Sequence, residues 1–190
     1  MTATLSEHWQ KIAFIAALCE RHYPNYVLYC EALDQEADSA VYRKVLGKIW
    51  EYLAGQLTSH KNLEKALLKV QEITPHEPTE EDGYGIYPAL DACLLLTSAL
   101  QMTLDDSIDD SETAAGLSQS TVAQFIAMLN DRDSFDPAME QHELYEQELQ
   151  CQQWLLESLS CASSAPSAVK SLRRELREFD CSNLGIALPD

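Results

Sequence analysis

The stretch that decides the fold lies near the N-terminus, where residues 6–22 read SEHWQKIAFIAALCERH. The apolar side chains of this stretch repeat about every 3.6 residues, so in a helix they share one face. They are Trp9, Ile12, Ala13, Ala16 and Cys19. Phe14, Ile15 and Leu18 widen this stripe to most of the circumference. Because a helix that is apolar nearly all round is buried, we expect this segment to lie at the centre of a helical bundle.

The same spacing recurs along the chain, whereas the strict alternation of a half-buried strand appears nowhere for long. With 6 glycines and 7 prolines in 190 residues, the chain also lacks the turn residues of a β-sandwich or barrel. The predicted helices cover about residues 6–22, 24–33, 39–57, 63–70, 88–104, 111–129, 137–159 and 166–179. The sequence therefore predicts an all-α fold: one domain over residues 1–190, built as a single compact bundle of seven or eight helices.

Local signals set several of the predicted helix limits. Pro24 should end the first helix, because the residue before a proline is pushed out of the α region, and it can open a short second helix. Ser39 is the predicted N-cap of the third helix. The pair Asp136-Pro137 is a strong start signal for a continuous helix to about residue 159. In the last helix, Arg174 and Glu178 should form an i,i+4 ion pair.

The formal net charge of -18 arises in the middle of the chain. Residues 71–164 hold 19 acidic side chains and one basic side chain, Arg132, whereas each flanking segment is neutral. Nucleic acids and anionic membranes are bound by clustered Lys and Arg, so we expect neither as a direct partner. An acidic surface favours basic proteins, polyamines or divalent cations. The alternative is that the charge serves solubility alone.

The six cysteines include no C-x-x-C pair, and four of them lie in apolar helical stretches, where a thiol behaves as a small hydrophobe. This usage indicates a reducing compartment. The N-terminus lacks the regions of a secretory signal. The longest apolar window, residues 86–104, is interrupted by Pro88 and by polar residues. We therefore expect a soluble, cytoplasmic protein.

One segment that concentrates polar side chains reads LCERHYPNY at residues 18–26. It brings Glu20, Arg21, Tyr23 and Asn25 together around Pro24. Such residues commonly fix a helix end through side-chain to backbone hydrogen bonds. The alternative is a binding site in which Arg21 holds a carboxylate or a small anion.

A second segment, DGYGIYPALDAC at residues 82–93, places one carboxylate, Asp91, in an otherwise apolar stripe that includes Tyr87. A buried charge needs a partner. We expect the positive end of the helix dipole and any nearby donor, for example Arg21 or a tyrosine hydroxyl, to stabilise it. The alternative is that Asp91 lines a pocket, because perturbed carboxylates also mark functional sites.

Four longer strings of the chain resemble a known family. They are LCERxYPNY at residues 18–26, IWE at 49–51, YGIYPALDAC at 84–93 and SNLGI at 182–186. The family they resemble is the YjaG-like bacterial family, a domain of unknown function, and the resemblance spans nearly the whole chain. It implies a single all-helical cytoplasmic domain. It carries no established activity, so no catalytic residue is transferred from it.

The acidic run DDSIDD at residues 105–110 contains the spacing D-D-x-x-D through Asp105, Asp106 and Asp109. In helical isoprenoid synthases this motif holds magnesium and a diphosphate, because carboxylates at i and i+4 share one face of a helix. Those enzymes also need a second aspartate-rich motif and basic residues, and residues 71–131 contain no Lys or Arg. A metal site here is therefore the alternative to simple caps at a helix junction.

Other catalytic signatures are absent from the sequence. It contains no serine hydrolase motif, phosphate-binding glycine loop or histidine metal spacing, and no cofactor is expected. Four acidic residues fit an exposed face of an acidic helix. They are Glu140, Glu143, Glu146 and Glu148.

Two functions remain open from the sequence. The first is a non-enzymatic protein-interaction module, in which an acidic face binds a basic partner or the chain forms a homodimer. The alternative is a pocket that binds a small ligand, or that hydrolyses a phosphate ester or diphosphate with Mg²⁺. The candidate ligand or partner pocket comprises Glu20, Arg21, Tyr23, Asn25, Tyr84, Tyr87, Asp91 and Asn183.

Overall fold

The structure is a computed structural model that describes residues 4–132 and 134–188. Within these ranges the chain forms seven α-helices and one short 3-10 helix, and no β-strand occurs. The α-helices are α1 (His8–Ala32), α2 (Glu36–Leu53), α3 (His60–Ile73), α4 (Ile86–Leu104), α5 (Ser111–Leu129), α6 (Glu143–Ser160) and α7 (Ala165–Leu176). The 3-10 helix spans Pro137–Gln141. The predicted all-α fold is confirmed.

Helix α1 is the central helix, as its apolar circumference predicts. It packs against α2, α4, α5, α6 and α7, and every side chain from Ile12 to Cys19 is buried. The same core includes Trp50 of α2, Leu96 of α4 and Leu155 of α6. Burying each large apolar side chain contributes roughly 1.5–3 kcal/mol, so the layer around α1 is a major source of stability.

Helix α1 continues through Pro24, so the prediction that it ends there is wrong. Proline has no N–H, so the carbonyl of Glu20 loses its i+4 donor, at a cost of about 3 kcal/mol. Tertiary contacts hold the turns that follow. Tyr26 and Cys30 are buried, and the hydroxyl of Tyr26 donates a 2.6 Å hydrogen bond to the carbonyl of Ile73. This packing offsets the local effect of the proline.

Helices α2 and α4 begin before the residues predicted to start them. Helix α2 begins at Glu36, and Ser39, the predicted N-cap, lies inside it and donates a 2.8 Å hydrogen bond to the carbonyl of Glu36. Helix α4 begins at Ile86 rather than at Pro88. Pro88 is compatible with this start because the first turn of a helix has no intrahelical use for its N–H groups.

The predicted continuous helix from Asp136-Pro137 to residue 159 is interrupted. Asp136 does accept a 2.9 Å hydrogen bond from the N–H of Ala138, but the helix that it caps is the five-residue 3-10 helix. His142 then caps α6 separately, because its Nδ1 accepts a hydrogen bond from the N–H of Leu144 at 3.2 Å. Two successive caps therefore replace the single predicted start.

Helix α7 ends at Leu176, and Arg177 is its C-cap. Glu178 thus lies beyond the helix, so its four-residue spacing from Arg174 no longer places the two side chains on one helical face. No ion pair joins these two residues among the ion pairs of the described chain. The predicted Arg174–Glu178 pair is therefore wrong, and the Arg174 side chain is left exposed.

Helix α4 is the most apolar of the helices, and it packs on α1, α2, α3 and α5. Its apolar character is explained by this burial inside the bundle. In the part of the chain that the structure describes, no helix is both long enough and apolar enough to cross a membrane.

Candidate functional site

An apolar cavity of about 530 Å³ lies where the C-terminal half of α1, the loop before α4, the helix α5 and the C-terminal segment meet. We call it the α1–α4 cavity. Its lining side chains include Asn25, Tyr29, Tyr84, Phe125, Leu184 and Ile186. Two of the predicted candidate residues, Asn25 and Tyr84, thus line one cavity although they lie far apart in the sequence.

The loop at the edge of this cavity is held by Asp82. Its Oδ2 accepts hydrogen bonds from the N–H of Thr79 at 2.8 Å and from the hydroxyl of Thr79 at 2.7 Å. The same oxygen lies 3.2 Å from Nε2 of His76. The hydrogen bonds from Thr79 lower the pKa of Asp82, which favours its charged form. Local polar contacts therefore hold the loop in the shape that closes one side of the cavity.

Asn25 supplies a polar group to the apolar wall of the cavity. It is 2% exposed, and its Nδ2 donates a 2.8 Å hydrogen bond to Oδ1 of Asn183. Its own Oδ1 has no hydrogen-bond partner among the described residues. A buried acceptor without a donor costs about 1–3 kcal/mol, so a donor in the cavity that reached this oxygen would be stabilised.

A line of buried polar side chains runs from Asn25 into the core. Nδ2 of Asn183 donates a hydrogen bond to Nε2 of His22 at 2.9 Å. The same nitrogen of His22 lies 2.9 Å from Oγ of Ser118, and the Ser118 hydroxyl donates to Oε1 of Glu148 at 2.6 Å. All five side chains are buried. Because the Ser118 hydroxyl donates to Glu148 and Nε2 of His22 accepts from Asn183, the His22–Ser118 pair is a close polar contact. The line therefore joins α1, α5, α6 and the C-terminal segment through hydrogen bonds and this one contact.

His22, Ser118 and Glu148 do not form a hydrolytic triad. In a triad the carboxylate orients the histidine, whereas Glu148 accepts a hydrogen bond directly from the Ser118 hydroxyl. None of the three side chains has exposed surface, so no substrate reaches the hydroxyl. Burial, assisted by the charge of Arg21, lowers the pKa of His22 to about 3. The neutral ring can therefore accept the hydrogen bond from Asn183, and the network is suited to holding helices together.

A tight turn at residues 182–186, in the segment that follows α7, positions Asn183 in this network. The N–H of Ser182 donates to the carbonyl of Ile186 at 2.8 Å, and the Ser182 hydroxyl oxygen accepts hydrogen bonds from the N–H groups of Leu184 and Ile186. Gly185 has a φ of +76°, a conformation that a residue without a Cβ adopts at little cost. The turn therefore explains the SNLGI string at residues 182–186.

Tyr87 and Asp91 lie next to the cavity through their contacts with Tyr84 and α5. The rings of Tyr84 and Tyr87 are 5.8 Å apart, and burial, with the nearby Asp91, raises the pKa of Tyr84 to about 12. The hydrogen-bond donor to Asp91 is the hydroxyl of Thr121, at 2.7 Å. A nearby donor thus bonds Asp91, as expected, but it is a threonine hydroxyl rather than Arg21 or a tyrosine. Burial raises the pKa of Asp91 to about 6.

Glu20 and Tyr23 belong to a different cluster, on the side of α1 that faces α2. Oε1 of Glu20 accepts a 2.8 Å hydrogen bond from Nε1 of Trp50, and Oε2 forms an ion pair with Arg43. The guanidinium of Arg43 lies 4.8 Å from the ring centre of Tyr23. These contacts bind α1 to α2, so the structure does not bring Glu20 and Tyr23 to the cavity.

Arg21 lies in a third place, under the C-terminal segment. Its guanidinium is 4.9 Å from the ring centre of Phe179, and Nη1 donates a long hydrogen bond, 3.4 Å, to the carbonyl of Cys181. Its Nε has no partner among the described residues. The eight predicted pocket residues are therefore divided: Asn25, Asn183, Tyr84, Tyr87 and Asp91 lie at or next to the cavity, and the other three lie elsewhere.

The alternative metal site at Asp105, Asp106 and Asp109 is not formed. Oδ1 of Asp105 accepts hydrogen bonds from the N–H and hydroxyl of Ser107, and the side chain of Asp106 is 87% exposed. A hydrogen bond from Lys11 lowers the pKa of Asp109 to about 2. Across residues 4–132 and 134–188, no group of three or more His, Cys, Asp or Glu side chains is placed to hold a metal ion.

Sequence reasoning missed most of the buried network. Glu148 is not on the exposed acidic face predicted for it, because its side chain is fully buried. Ser118 belongs to no sequence motif. His22 lies in the polar segment at residues 18–26, but the sequence gives no signal of its hydrogen-bond partner. Glu148 and Gln152 are four residues apart and are bonded at 2.7 Å, and this i,i+4 spacing is the one local signal that could have pointed to the network.

Sequence comparisons relate the chain to bacterial proteins over nearly its full length. The uncharacterized protein YjaG of Salmonella typhimurium is 34% identical over 186 residues, which cover 95% of this chain and 91% of that protein. YjaG of Escherichia coli K12 is 33% identical over 182 residues. An uncharacterized protein of Haemophilus influenzae is 30% identical over 183 residues. The resemblance to the YjaG-like family is therefore confirmed.

Structural comparison supports the same relationship. The crystal structure of a DUF416 family protein from Shewanella baltica is similar to this chain, with a TM-score of 0.84 and 33% sequence identity, over 96% of this chain and 94% of that one. Residues 4–187 match the sequence profile described as "Protein of unknown function (DUF416)". The chain therefore belongs to the DUF416 family.

Proposed function

We propose that this protein binds a small, mostly apolar ligand in the α1–α4 cavity. The volume of about 530 Å³ falls within the roughly 300–1,000 Å³ of small-molecule sites, which are typically apolar with a few polar groups. Tyr29, Tyr84 and Phe125 offer aromatic contacts, and the lining residue Asn25 carries a buried side-chain oxygen without a partner. The observation that carries the proposal is this unpartnered oxygen on a residue of a mostly apolar wall, whose other polar side chains include His76 and Asp82. It favours a ligand with an aromatic body and one N–H or O–H donor.

A matched pair of probes tests this proposal: 2-naphthol, which has a hydroxyl donor, and 2-methylnaphthalene, which has a methyl group in its place. We expect 2-naphthol to raise the Tm more than 2-methylnaphthalene does at equal concentration, because only 2-naphthol can donate to Asn25. A ligand at 100 times its Kd stabilises by about 2.7 kcal/mol, which corresponds to a Tm increase of about 5–10 °C for a chain of this size.

A blocking variant links the effect to the cavity. Leu28 lines the cavity and is 49% exposed, so Leu28→Trp should fill the space and abolish the response to 2-naphthol. Leu68→Trp is the matched control, because Leu68 is 58% exposed on α3 and does not line the cavity. An equal response in both variants, or no response of the native protein to either probe, would refute the proposal.

A second candidate function rests on the distribution of acidic side chains. Of the eighteen acidic residues described between positions 71 and 164, fourteen have exposed side chains. This supports an interaction surface for a basic protein, which would act without catalysis. A fluorescent octalysine peptide should bind with an affinity that falls as NaCl is raised. Binding insensitive to salt, or no binding at low salt, would contradict it, and sedimentation velocity would show whether a second copy associates.

A further inference from the structure

A basic surface of this acidic protein lies on α7 and its C-cap, Arg177. Lys170, Arg173, Arg174 and Arg177 follow the i, i+3, i+4, i+7 spacing and therefore share one face. They line a groove of about 700 Å³ between α7 and the C-terminal end of α2. One carboxylate, Glu51 of α2, lines the same groove. The groove shares no lining residue with the α1–α4 cavity.

These four cations have no ion-pair partner among the described residues, although acidic side chains outnumber basic ones by 31 to 13 in the chain. Like charges three and four residues apart on a helix repel one another. The helix dipole favours Arg173 and Arg174 in the last turn, but Lys170 lies a turn earlier. A charge distribution that served solubility alone would not require such a cluster.

The walls of the groove are held in place by packing. The guanidinium of Arg173 lies 5.7 Å from the ring centre of Trp50, and the Trp50 indole is buried and hydrogen-bonded to Glu20. Val169 and Leu172 anchor α7 in the core. Arg174 and Arg177 remain exposed at the groove, so their guanidinium groups are available to a ligand.

From this geometry we propose that the α2–α7 groove binds a small organic phosphate that carries at least two phosphoryl groups. Guanidinium groups match phosphate oxygens through paired N–H donors, and several of them on one face suit a ligand with closely spaced charges. The four basic side chains lie within about two turns of one helix, so their positive charge is concentrated over a short length, which suits a compact ligand with closely spaced phosphoryl groups.

The experiment measures binding of ADP and of inorganic pyrophosphate by isothermal titration calorimetry in magnesium-free buffer at 50 mM NaCl, with sulfate as the comparison anion. We expect saturable binding of ADP and pyrophosphate that is tighter than that of sulfate. The double variant Arg174→Glu/Arg177→Glu should weaken it at least about tenfold, because charge-assisted hydrogen bonds are lost. Both side chains are exposed, and thermal unfolding verifies that the variant is folded.

The double variant Lys61→Glu/Lys65→Glu is the matched control. It changes the net charge equally at two exposed positions of α3 that do not line the groove, and it should leave the affinity within about twofold. Equal loss in both variants, sulfate binding as tight as pyrophosphate, or no binding by the native protein would overturn the proposal. Tighter binding of an octaglutamate peptide or of single-stranded DNA than of ADP would overturn it in favour of a macromolecular partner. The variant Leu28→Trp should leave ADP binding unchanged, which separates this site from the cavity.

Discussion

Replacing Asp91 by asparagine is expected to stabilise the protein, and to do so more strongly at pH 8 than at pH 5. Burial raises the pKa of Asp91 to about 6 from its ordinary value of 3.8. The folded state therefore holds the Asp91 proton more tightly than the unfolded state does. As a result, the stability of the native protein rises as the pH falls through 6 toward 3.8, and the ionised carboxylate is a destabilising group at pH 8.

The magnitude follows from the two pKa values. The difference between about 6 and 3.8, converted at about 1.4 kcal/mol per pH unit, gives about 3 kcal/mol at pH 8. At pH 5 both states are partly protonated, and the same linkage relation leaves about 1.6 kcal/mol. Asparagine is neutral at both pH values, and its Oδ1 can still accept the hydrogen bond from Thr121. The gain on substitution should therefore fall by about half between pH 8 and pH 5.

Urea unfolding at the two pH values, followed by circular dichroism, measures this gain. Asp106→Asn is the matched control, because the Asp106 side chain is 87% exposed and its substitution should change the free energy of unfolding by less than about 0.5 kcal/mol. A gain from Asp91→Asn that is the same at pH 8 and pH 5 would show that burial of the charge is not its source. A loss of stability at pH 8 would refute the reasoning altogether.

Three further predictions concern the buried polar network and the thiols. The pKa of His22 is lowered to about 3 in the fold from 6.5, so its contribution to stability is intact above pH 6.5 and falls as the pH drops. Between pH 8 and pH 5, the free energy of unfolding of the native protein should therefore fall by about 2 kcal/mol relative to that of His22→Gln, as measured by urea unfolding. Parallel pH dependences of the two free energies would contradict this. Asn183→Ala leaves buried partners unsatisfied and should lower the free energy of unfolding by about 2–3 kcal/mol, seen as a Tm decrease of about 5–10 °C; an unchanged Tm would show that the network contributes little. Of the six free cysteines, Cys161 is exposed and Cys181 is partly exposed, so these two thiols alone should react rapidly with Ellman's reagent before unfolding; rapid reaction of the four buried thiols would mean that the core opens readily.

The helices were largely predictable because the signals that form them are local. Helix α5 spans Ser111–Leu129, as predicted from its apolar spacing and caps, and the apolar circumference of residues 6–22 was enough to identify the central helix. The prediction that the first helix ends at Pro24 failed. It rested on two local effects of proline, the missing N–H and the steric restriction of the preceding residue. Contacts of Tyr26 and Cys30 with distant parts of the chain outweigh these effects, and such contacts are not visible in a short window.

The candidate site was predictable only in part. Asn25, Tyr84 and Asn183 belong to the predicted set, and the structure places them at or next to one cavity. Glu20, Tyr23 and Arg21 are close in sequence to Asn25 but point to other sides of α1, since successive residues of a helix are rotated by about 100°. A cluster in the sequence of a helix is therefore divided among several sites in space.

Helical content, the central position of the first apolar segment and the separation of charge along the chain can be read from the sequence alone, because each depends on spacing or on composition within one segment. The pairing of polar groups cannot. Asn25 meets Asn183 across 158 residues, Asp91 meets Thr121 of another helix, and Arg174 loses its expected partner because α7 stops at Leu176. Hydrogen bonds and ion pairs require distances of about 3–4 Å, and only the packing of the helices sets those distances.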